Sequence, residues 1–325
     1  MSSSPSSPTQ INRSTPGYLI AVVSAMFLST TAVFIRYLTE NFALPALILS
    51  FWRDLFVVLT LLPIFLIWKP KLLHIKRRDL LYMIGYGFVL ALFNSAWTFS
   101  VSLNGAAVAT VLAYCSGAFT AVLGWWLLKE HLGWAKIVAV VTILAGCVLI
   151  SGAYRAEAWN TNIAGIMAGV LSGLCYAVYS LLGRSASQRG LNPWTTLIYT
   201  FGFATVFLLA VNLIPGGALP GSAAALTDLL WLGDSVTGWV VLFLLAAVPT
   251  VMGFGLYNTS LTMLPSSVVN LIVSLEPVFT TLTAYLFLGE RLDGKQIGGA
   301  FLVMTGVLFL RFFERWNENQ AKKLA

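Results

Sequence analysis

The sequence predicts an all-α membrane protein built from ten transmembrane helices, arranged as two inverted five-helix repeats. Three observations predict this fold class: a very apolar composition, a series of apolar segments long enough to cross a bilayer, and a match between the two halves of the chain. Of 325 residues, 58% are hydrophobic and 10% are charged, whereas soluble domains carry about 25% charged residues. Such a chain needs a lipid bilayer around it.

Ten apolar segments follow one another along the chain, each near the length of about 20 residues that crosses the hydrocarbon core. They lie at residues 17–38, 43–67, 80–101, 106–128, 134–153, 163–183, 194–214, 238–259, 266–288 and 296–313. Residues 1–16 are rich in serine and proline, so we expect a disordered tail there. Residues 314–325 are expected to form a second tail.

The lysines and arginines favour cytoplasmic positions for both tails, in the plasma or inner membrane of a cell. Basic residues concentrate in the loops predicted to lie on the side of the N-terminus, most densely in Lys69–Asp79. Cytoplasmic loops carry this excess in membrane proteins. The net charge of +7 therefore reflects topology, and no nucleic-acid partner is expected.

An internal repeat is the most informative feature of the sequence. The matching pairs are Gly17 with Gly165, Ser24 with Ser172, Arg36 with Arg184, Trp97 with Tyr257, Phe119 with Phe279, Glu130 with Glu290, and Gly146 with Gly306. The two units are predicted at 17–153 and 163–313. Because each unit holds an odd number of spans, the second enters the membrane upside down. Such repeats are typical of transporters, in which two equivalent halves exchange inward- and outward-facing conformations around one midplane site.

The second half carries LEPVF at 275–279, then LGERL at 288–292, then a glycine-containing last segment. The first half carries weaker copies, SGAFT at 116–120 and LLKEHL at 127–132. This order resembles the EamA type of the drug/metabolite transporter superfamily over residues 17–313. The resemblance implies a ten-helix secondary transporter of small metabolites with both termini in the cytoplasm.

Three charged residues lie deep inside predicted spans: Arg53, Asp54 and Glu276. Because a charge at bilayer depth costs about 2.5–3.5 kcal/mol on insertion scales, each of them needs a partner or a function. Neighbouring residues on a helix point in different directions, so Arg53 and Asp54 are not expected to satisfy each other. Each needs a partner on another helix or a water-filled cavity, and a structural role is favoured. Glu276 is expected either to bind a cationic solute or a coupling proton, or to be a structural partner of Arg53.

Three residues are candidate helix breaks or hinges: Pro249, Gly253 and Pro277. Interrupted helices near the midplane expose backbone groups that can bind substrate or act as hinges, and a tolerated kink is the alternative. Ser116 and Gly117 stand where the second half has Glu276 and Pro277. We therefore expect the charge and the kink in the second half only.

Polar and aromatic side chains in the spans supply a candidate cavity surface. In the family that the chain resembles, the cavity is lined chiefly by the first, third and fourth spans and their repeat partners. The substrate-cavity or coupling candidates are Asn94, Trp97, Tyr114, Ser116, Tyr176, Tyr179, Tyr257, Asn258, Asn270, Ser274 and Glu276. Each one alone is more often a packing or helix–helix hydrogen-bonding residue.

These patterns predict a secondary transporter rather than an enzyme. We expect it to export a small metabolite such as an amino acid, with protons considered as the coupling ion. Efflux of an aromatic or cationic compound is the alternative, and a non-transporting receptor or scaffold is a remote one. The two histidines, His74 and His131, lie in loops with no metal-ligand spacing, so no metal or cofactor is expected. The sequence leaves the oligomeric state open.

Overall fold

The computed structural model describes residues 14–119, 122–123, 134–151, 154, 163–214, 216–217, 219–261, 263, 272–273 and 275–324. Within these ranges the regular structure is helical, without a β-strand. The α-helices are α1 (Ser14–Asn41), α2 (Ala46–Trp68), α3 (Arg77–Asn104), α4 (Ala106–Ala113), α5 (Trp134–Ser151), α6 (Ile163–Gln188), α7 (Pro193–Asn212), α8 (Val236–Leu245), α9 (Gly253–Leu261), α10 (Glu276–Leu288) and α11 (Gly294–Leu324). Two short 3-10 helices (Pro70–Leu73, Leu226–Leu230) and a π-helical segment (Ala246–Met252) complete the order.

Among the described residues, six helical stretches are long and apolar enough to cross a membrane. They are Pro16–Asn41, Ala46–Trp68, Arg77–Asn104, Ile163–Gly183, Pro193–Asn212 and Val236–Tyr257, and each overlaps one predicted span. Three shorter apolar helices, Ala106–Phe119, Ile137–Ile150 and Gly294–Phe309, overlap three further predicted spans. The remaining span, 266–288, lies partly outside the described residues, so the total of ten stays a prediction.

Helix boundaries follow local sequence signals. Pro193 opens α7, because its fixed φ suits a first helical turn. The side chain of Asn192 caps that helix by accepting a hydrogen bond from the Trp194 N–H at 2.9 Å. Gly105, with φ +84°, lets the chain turn from α3 directly into α4, a conformation that residues with a Cβ rarely adopt.

The main helix pairs join the first half of the chain to the second. α3 packs along α6, α1 along α9, α2 against α7, and α5 along α11. One buried cluster at the α2–α7 contact contains Phe51, Leu61, Phe201 and Leu208. The core therefore lies between the two halves, and neither half buries its apolar surface alone.

The α5–α11 pair approaches closely through glycines. A Cβ at Gly146 would lie 2.7 Å from the carbonyl oxygen of Gly299, and a Cβ at Gly299 would lie 2.6 Å from the backbone nitrogen of Ile150. Small residues allow such contact between helices in lipid, where dispersion and not water exclusion holds helices together.

Replacing Gly299 with alanine should destabilise the protein, because the new methyl group meets the backbone of α5. We expect Gly299→Ala to lower the free energy of unfolding by about 1–3 kcal/mol, as overpacking does. Gly298→Ala is the matched control, since a Cβ there meets nothing within 4 Å. Thermal unfolding of the purified variants in detergent measures both, and equal melting temperatures would contradict the close approach.

Candidate functional site

The helix of the fourth predicted span is interrupted at Tyr114 and Cys115. α4 ends at Ala113, these two residues form a turn, and helix resumes at 116–119. The Cys115 N–H donates to the Leu112 carbonyl oxygen at 3.0 Å, and the Gly117 N–H to that of Tyr114 at 3.1 Å. These bonds span three residues instead of the four of an α-helix. The segment contains no proline to signal the break.

A matching break lies in the second half. Leu275 is a turn residue whose N–H donates to the Ile272 carbonyl oxygen at 3.0 Å, and α10 begins at the next residue, Glu276. Pro277 therefore occupies the first turn of a helix, where a missing N–H removes no helical hydrogen bond. Leu275 corresponds to Cys115 in the repeat. The expectation of an interruption in the second half only was therefore wrong.

The two breaks contact each other through Tyr114. Its hydroxyl lies 2.9 Å from the Val273 carbonyl oxygen and 3.1 Å from Oε2 of Glu276, so its proton can be donated to either acceptor. Ser116, on the far side of the first break, is buried. A tyrosine and a carboxyl group thus meet where the described ends of both interrupted spans lie, and Ser116 is two residues from that tyrosine in the chain.

Arg53 and Asp54 form a buried pair on α2. Arg53 Nε lies 3.2 Å from Asp54 Oδ1, and the side chains are 3% and 0% exposed. The expectation that sequence neighbours would not pair was wrong, because the long arginine side chain bends back along its own helix. Asn94 on α3 adds the partner on another helix, with Nδ2 3.0 Å from Oδ1 and 2.7 Å from Oδ2 of Asp54. Among the described residues no ion pair joins Arg53 to Glu276, so the structural partnership left open by the sequence is not formed.

Six aromatic side chains of α3 and α6 form a continuous series, here called the aromatic ladder. Successive ring centroids are separated by 6.2 Å (Tyr82–Tyr86), 4.7 Å (Tyr86–Tyr179), 6.3 Å (Tyr179–Tyr176), 5.3 Å (Tyr176–Phe93) and 6.1 Å (Phe93–Trp97). The guanidinium carbon of Arg189 lies 4.2 Å from the Tyr82 ring centroid and that of Arg53 lies 6.0 Å from the Trp97 ring centroid. A cation therefore flanks each end of the ladder.

Half of the residues of the aromatic ladder were predicted from the sequence as cavity candidates. Trp97, Tyr176 and Tyr179 were among the candidates, whereas Tyr82, Tyr86 and Phe93 were not. Positions 82, 86, 93 and 97 recur on one face of a helix, and that periodicity was the signal that could have found the rest.

The other candidates have mixed outcomes. Tyr257 packs in the small cluster that contains Ala21 and Val273, beside the second break. The side chain of Asn258 and residues Asn270 and Ser274 lie outside the described part of the structure.

At Pro249 the helix is widened and not broken. Pro249 lies inside the π-helical segment that joins α8 to α9, and π turns are frequent at functional sites. Gly253 follows the segment, and its carbonyl oxygen accepts a hydrogen bond from Ser24 Oγ at 2.8 Å. A Cβ at Gly253 would lie 2.7 Å from Leu28 Cδ2, so this glycine lets α1 and α9 approach closely.

Glu290, from the LGERL motif, caps α4. Its Oε1 accepts a hydrogen bond from the Ala106 N–H at 2.9 Å and its Oε2 from the Ala107 N–H at 3.2 Å. A carboxylate suits a helix N-terminus, where backbone N–H groups lack partners. Arg36 Nε lies 3.8 Å from the same carboxylate, and Arg36 Nη1 donates to the Ser102 carbonyl oxygen at 2.5 Å. The second half is therefore tied to the α3–α4 turn, a role that sequence reasoning missed.

Comparison with known proteins supplies the remaining findings. The model of the EamA-like transporter family matches residues 15–152 and 163–312. A probable amino-acid metabolite efflux pump of Escherichia coli (strain K12) is 26% identical over 285 residues, which cover 85% of this chain and 88% of that protein. An S-adenosylmethionine uptake transporter of Rickettsia bellii (strain RML369-C) is 22% identical over 298 residues, 92% and 93% of the two chains. A protein of known crystal structure aligns with TM-score 0.60 at 18% identity, covering 93% of this chain and 99% of that chain, which shows a common fold.

Tyr114→Phe should loosen the contact between the two breaks. Its hydroxyl lies within hydrogen-bond distance of a carbonyl and a carboxyl oxygen, and hydrogen bonds to charged groups contribute about 1.5–3 kcal/mol. We expect the free energy of unfolding to fall by a similar amount. Tyr18→Phe, at an exposed position of α1, is the control. A Tyr114→Phe protein as stable as the control would show that the contact contributes nothing to stability.

Proposed function

Because the chain belongs to the EamA-like transporter family, we propose that it is a secondary transporter that exports a small metabolite, such as an amino acid, by alternating access. It is a multi-pass membrane protein, with six helices of spanning length and composition among the described residues. The Escherichia coli relative is named for efflux of amino-acid metabolites and the Rickettsia bellii relative for uptake of S-adenosylmethionine. The first of these names supports the class of solute and the direction.

The contact between the two interrupted spans is the observation that carries this proposal. Transporters built from repeats place substrate and ion sites near the midplane, where discontinuous helices free backbone groups. Tyr114 and Glu276 meet where the two spans are interrupted. A carboxyl group there can bind the ammonium group of an amino acid or take up and release a coupling proton.

The packing of the helices supports two inverted five-helix repeats. Under the repeat match the α3–α6 pair corresponds to the α1–α9 pair, and both pairs are formed. The repeat match exchanges α2 with α7 and α5 with α11. Each of these two pairs is therefore its own equivalent in the other half, and both pairs are formed. This is the pattern expected of two units related by a two-fold axis in the membrane plane. We propose units at 17–153 and 163–313, ten spans, and both termini in the cytoplasm.

The aromatic ladder favours a second candidate, efflux of an aromatic or cationic compound. Stacked rings offer large apolar contact, and their faces attract cations. Ligand stabilisation of the purified protein separates the two candidates, since a solute that binds the folded state raises its melting temperature. We expect amino acids to stabilise the protein more than cationic dyes, and the reverse order would favour drug efflux.

Glu276→Gln should impair transport of the solute found in that screen. Losing one charge-assisted contact of about 1.5–3 kcal/mol corresponds to a fall in rate of about 10–100-fold. In proteoliposomes we also expect the residual flux to lose its dependence on pH.

Asp234→Asn removes an exposed acid and is the control for lost charge. A folded Glu276→Gln protein with an undiminished rate and unchanged pH dependence would rule out both roles of this carboxyl group. Absence of flux for every solute in wild-type proteoliposomes would contradict the transporter proposal itself.

A further inference from the structure

Arg53 is buried with most of its hydrogen-bonding capacity unused. A guanidinium group carries five N–H donors, and among the described residues Arg53 makes one hydrogen bond, from Nε to Asp54 Oδ1. Nη2 is buried and has no hydrogen-bond partner. The whole side chain is 3% exposed, so its contact with bulk water is slight.

Asp54 does not satisfy the rest of the guanidinium group. Asn94 Nδ2 lies within 3.0 Å of both carboxylate oxygens of Asp54. Because Asp54 follows Arg53 directly in the sequence, its carboxylate reaches only Nε of that arginine. The pair joins one acidic and one basic side chain, yet Nη2 of the guanidinium group stays without an acceptor. Burying such a group costs free energy that a purely structural ion pair would recover through further hydrogen bonds.

Arg36 shows how this chain treats an arginine that holds helices together. Its Nη1 donates to the Ser102 carbonyl oxygen at 2.5 Å and its Nη2 lies 2.6 Å from Oε1 of Glu40. Both terminal nitrogens therefore have acceptors. The buried Arg36 nitrogen without a hydrogen-bond partner is Nε, and it lies 3.8 Å from Oε1 of Glu290. Arg53 Nη2 lacks an acceptor, although Arg53 is the more deeply buried residue of the two.

We propose that the free edge of Arg53 binds the carboxylate of the transported solute. This inference rests on the proposed function and assigns a residue to it. Guanidinium groups bind carboxylates through two parallel N–H···O bonds, and such pairs are strongest where water is excluded. The Trp97 ring lies 6.0 Å from the guanidinium carbon and begins the aromatic ladder. The site therefore suits a small monocarboxylate whose apolar or aromatic body lies along Trp97 and Phe93.

Paired ligands that differ only at the carboxylate test this assignment. The melting temperature of the purified protein is measured with L-phenylalanine and L-phenylalaninamide, and with L-leucine and L-leucinamide, at matched concentrations. We expect the carboxylates to bind the wild type about tenfold more tightly or better, the ratio that one hydrogen bond of about 1.4 kcal/mol produces, and therefore to raise the melting temperature more.

Arg53→Gln combined with Asp54→Asn removes the buried pair without leaving either charge alone, so that the variant has a fair prospect of folding. We expect it to bind each acid and its amide equally. Arg53→Lys keeps the charge and loses the fork, and should show an intermediate preference. The matched control is Arg78→Gln with Asp79→Asn, which alters the same Arg-Asp doublet where the arginine is 74% exposed; it should keep the wild-type preference.

The assignment is overturned if the wild type shows no preference for either acid, or if the Arg53→Gln, Asp54→Asn protein keeps the full preference. Flux in wild-type proteoliposomes distinguishes this failure from that of the proposed function. Transport without a preference for the carboxylates would contradict the role proposed for Arg53 and leave the transporter proposal standing. Carboxylate preference without transport of any of the four compounds would support the site and contradict the transporter proposal for these solutes.

Discussion

The lack of water inside a bilayer is the constraint on which this structure depends. A backbone group released by a helix break has no solvent partner there, so it must find one within the protein. The turns at Tyr114–Cys115 and Leu275 retain part of the backbone hydrogen bonding, through bonds between residues three apart. Tyr114 then supplies a donor to the Val273 carbonyl oxygen across the interface.

The same constraint explains how the halves are joined. Polar contacts are placed where backbone or charge would otherwise be unpaired: Glu290 on the first N–H groups of α4, and Asn94 on the carboxylate of Asp54. Apolar residues fill the spaces between, as at the α2–α7 contact. Arg53 Nη2 departs from this rule, as do Arg36 Nε, Thr110 Oγ1 and Thr196 Oγ1. Of the two arginines Arg53 is the less exposed, at 3% against 22%, and the proposed recognition of a carboxylate is placed there.

Much of the fold could be predicted because apolar segments of spanning length are local signals. The matching pairs of residues also indicated which helices are equivalent. The break at Tyr114 and Cys115 could not be predicted, because its residues include no proline and its partners, Val273 and Glu276, lie far away in sequence. The Arg53–Asp54 pair was missed because a flexible side chain can bend along its own helix. The capping role of Glu290 depends on the turn at Gly105, which lies far away in sequence.

We propose that the meeting point of the two breaks lies on the solute's path. Ser116 lies two residues from Tyr114 and is about as buried as the native cysteines Cys115, Cys147 and Cys175, so reaction of a Ser116→Cys thiol above the wild-type background would report an opening of this point during transport. The direct measurement is its rate of reaction in proteoliposomes with a membrane-impermeant maleimide added to one face and then to the other. We predict that the Ser116→Cys protein reacts faster than the wild type, and that the rate of this reaction changes when a transported solute is present. Reaction no faster than that of the wild type from either face, with and without solute, would contradict it.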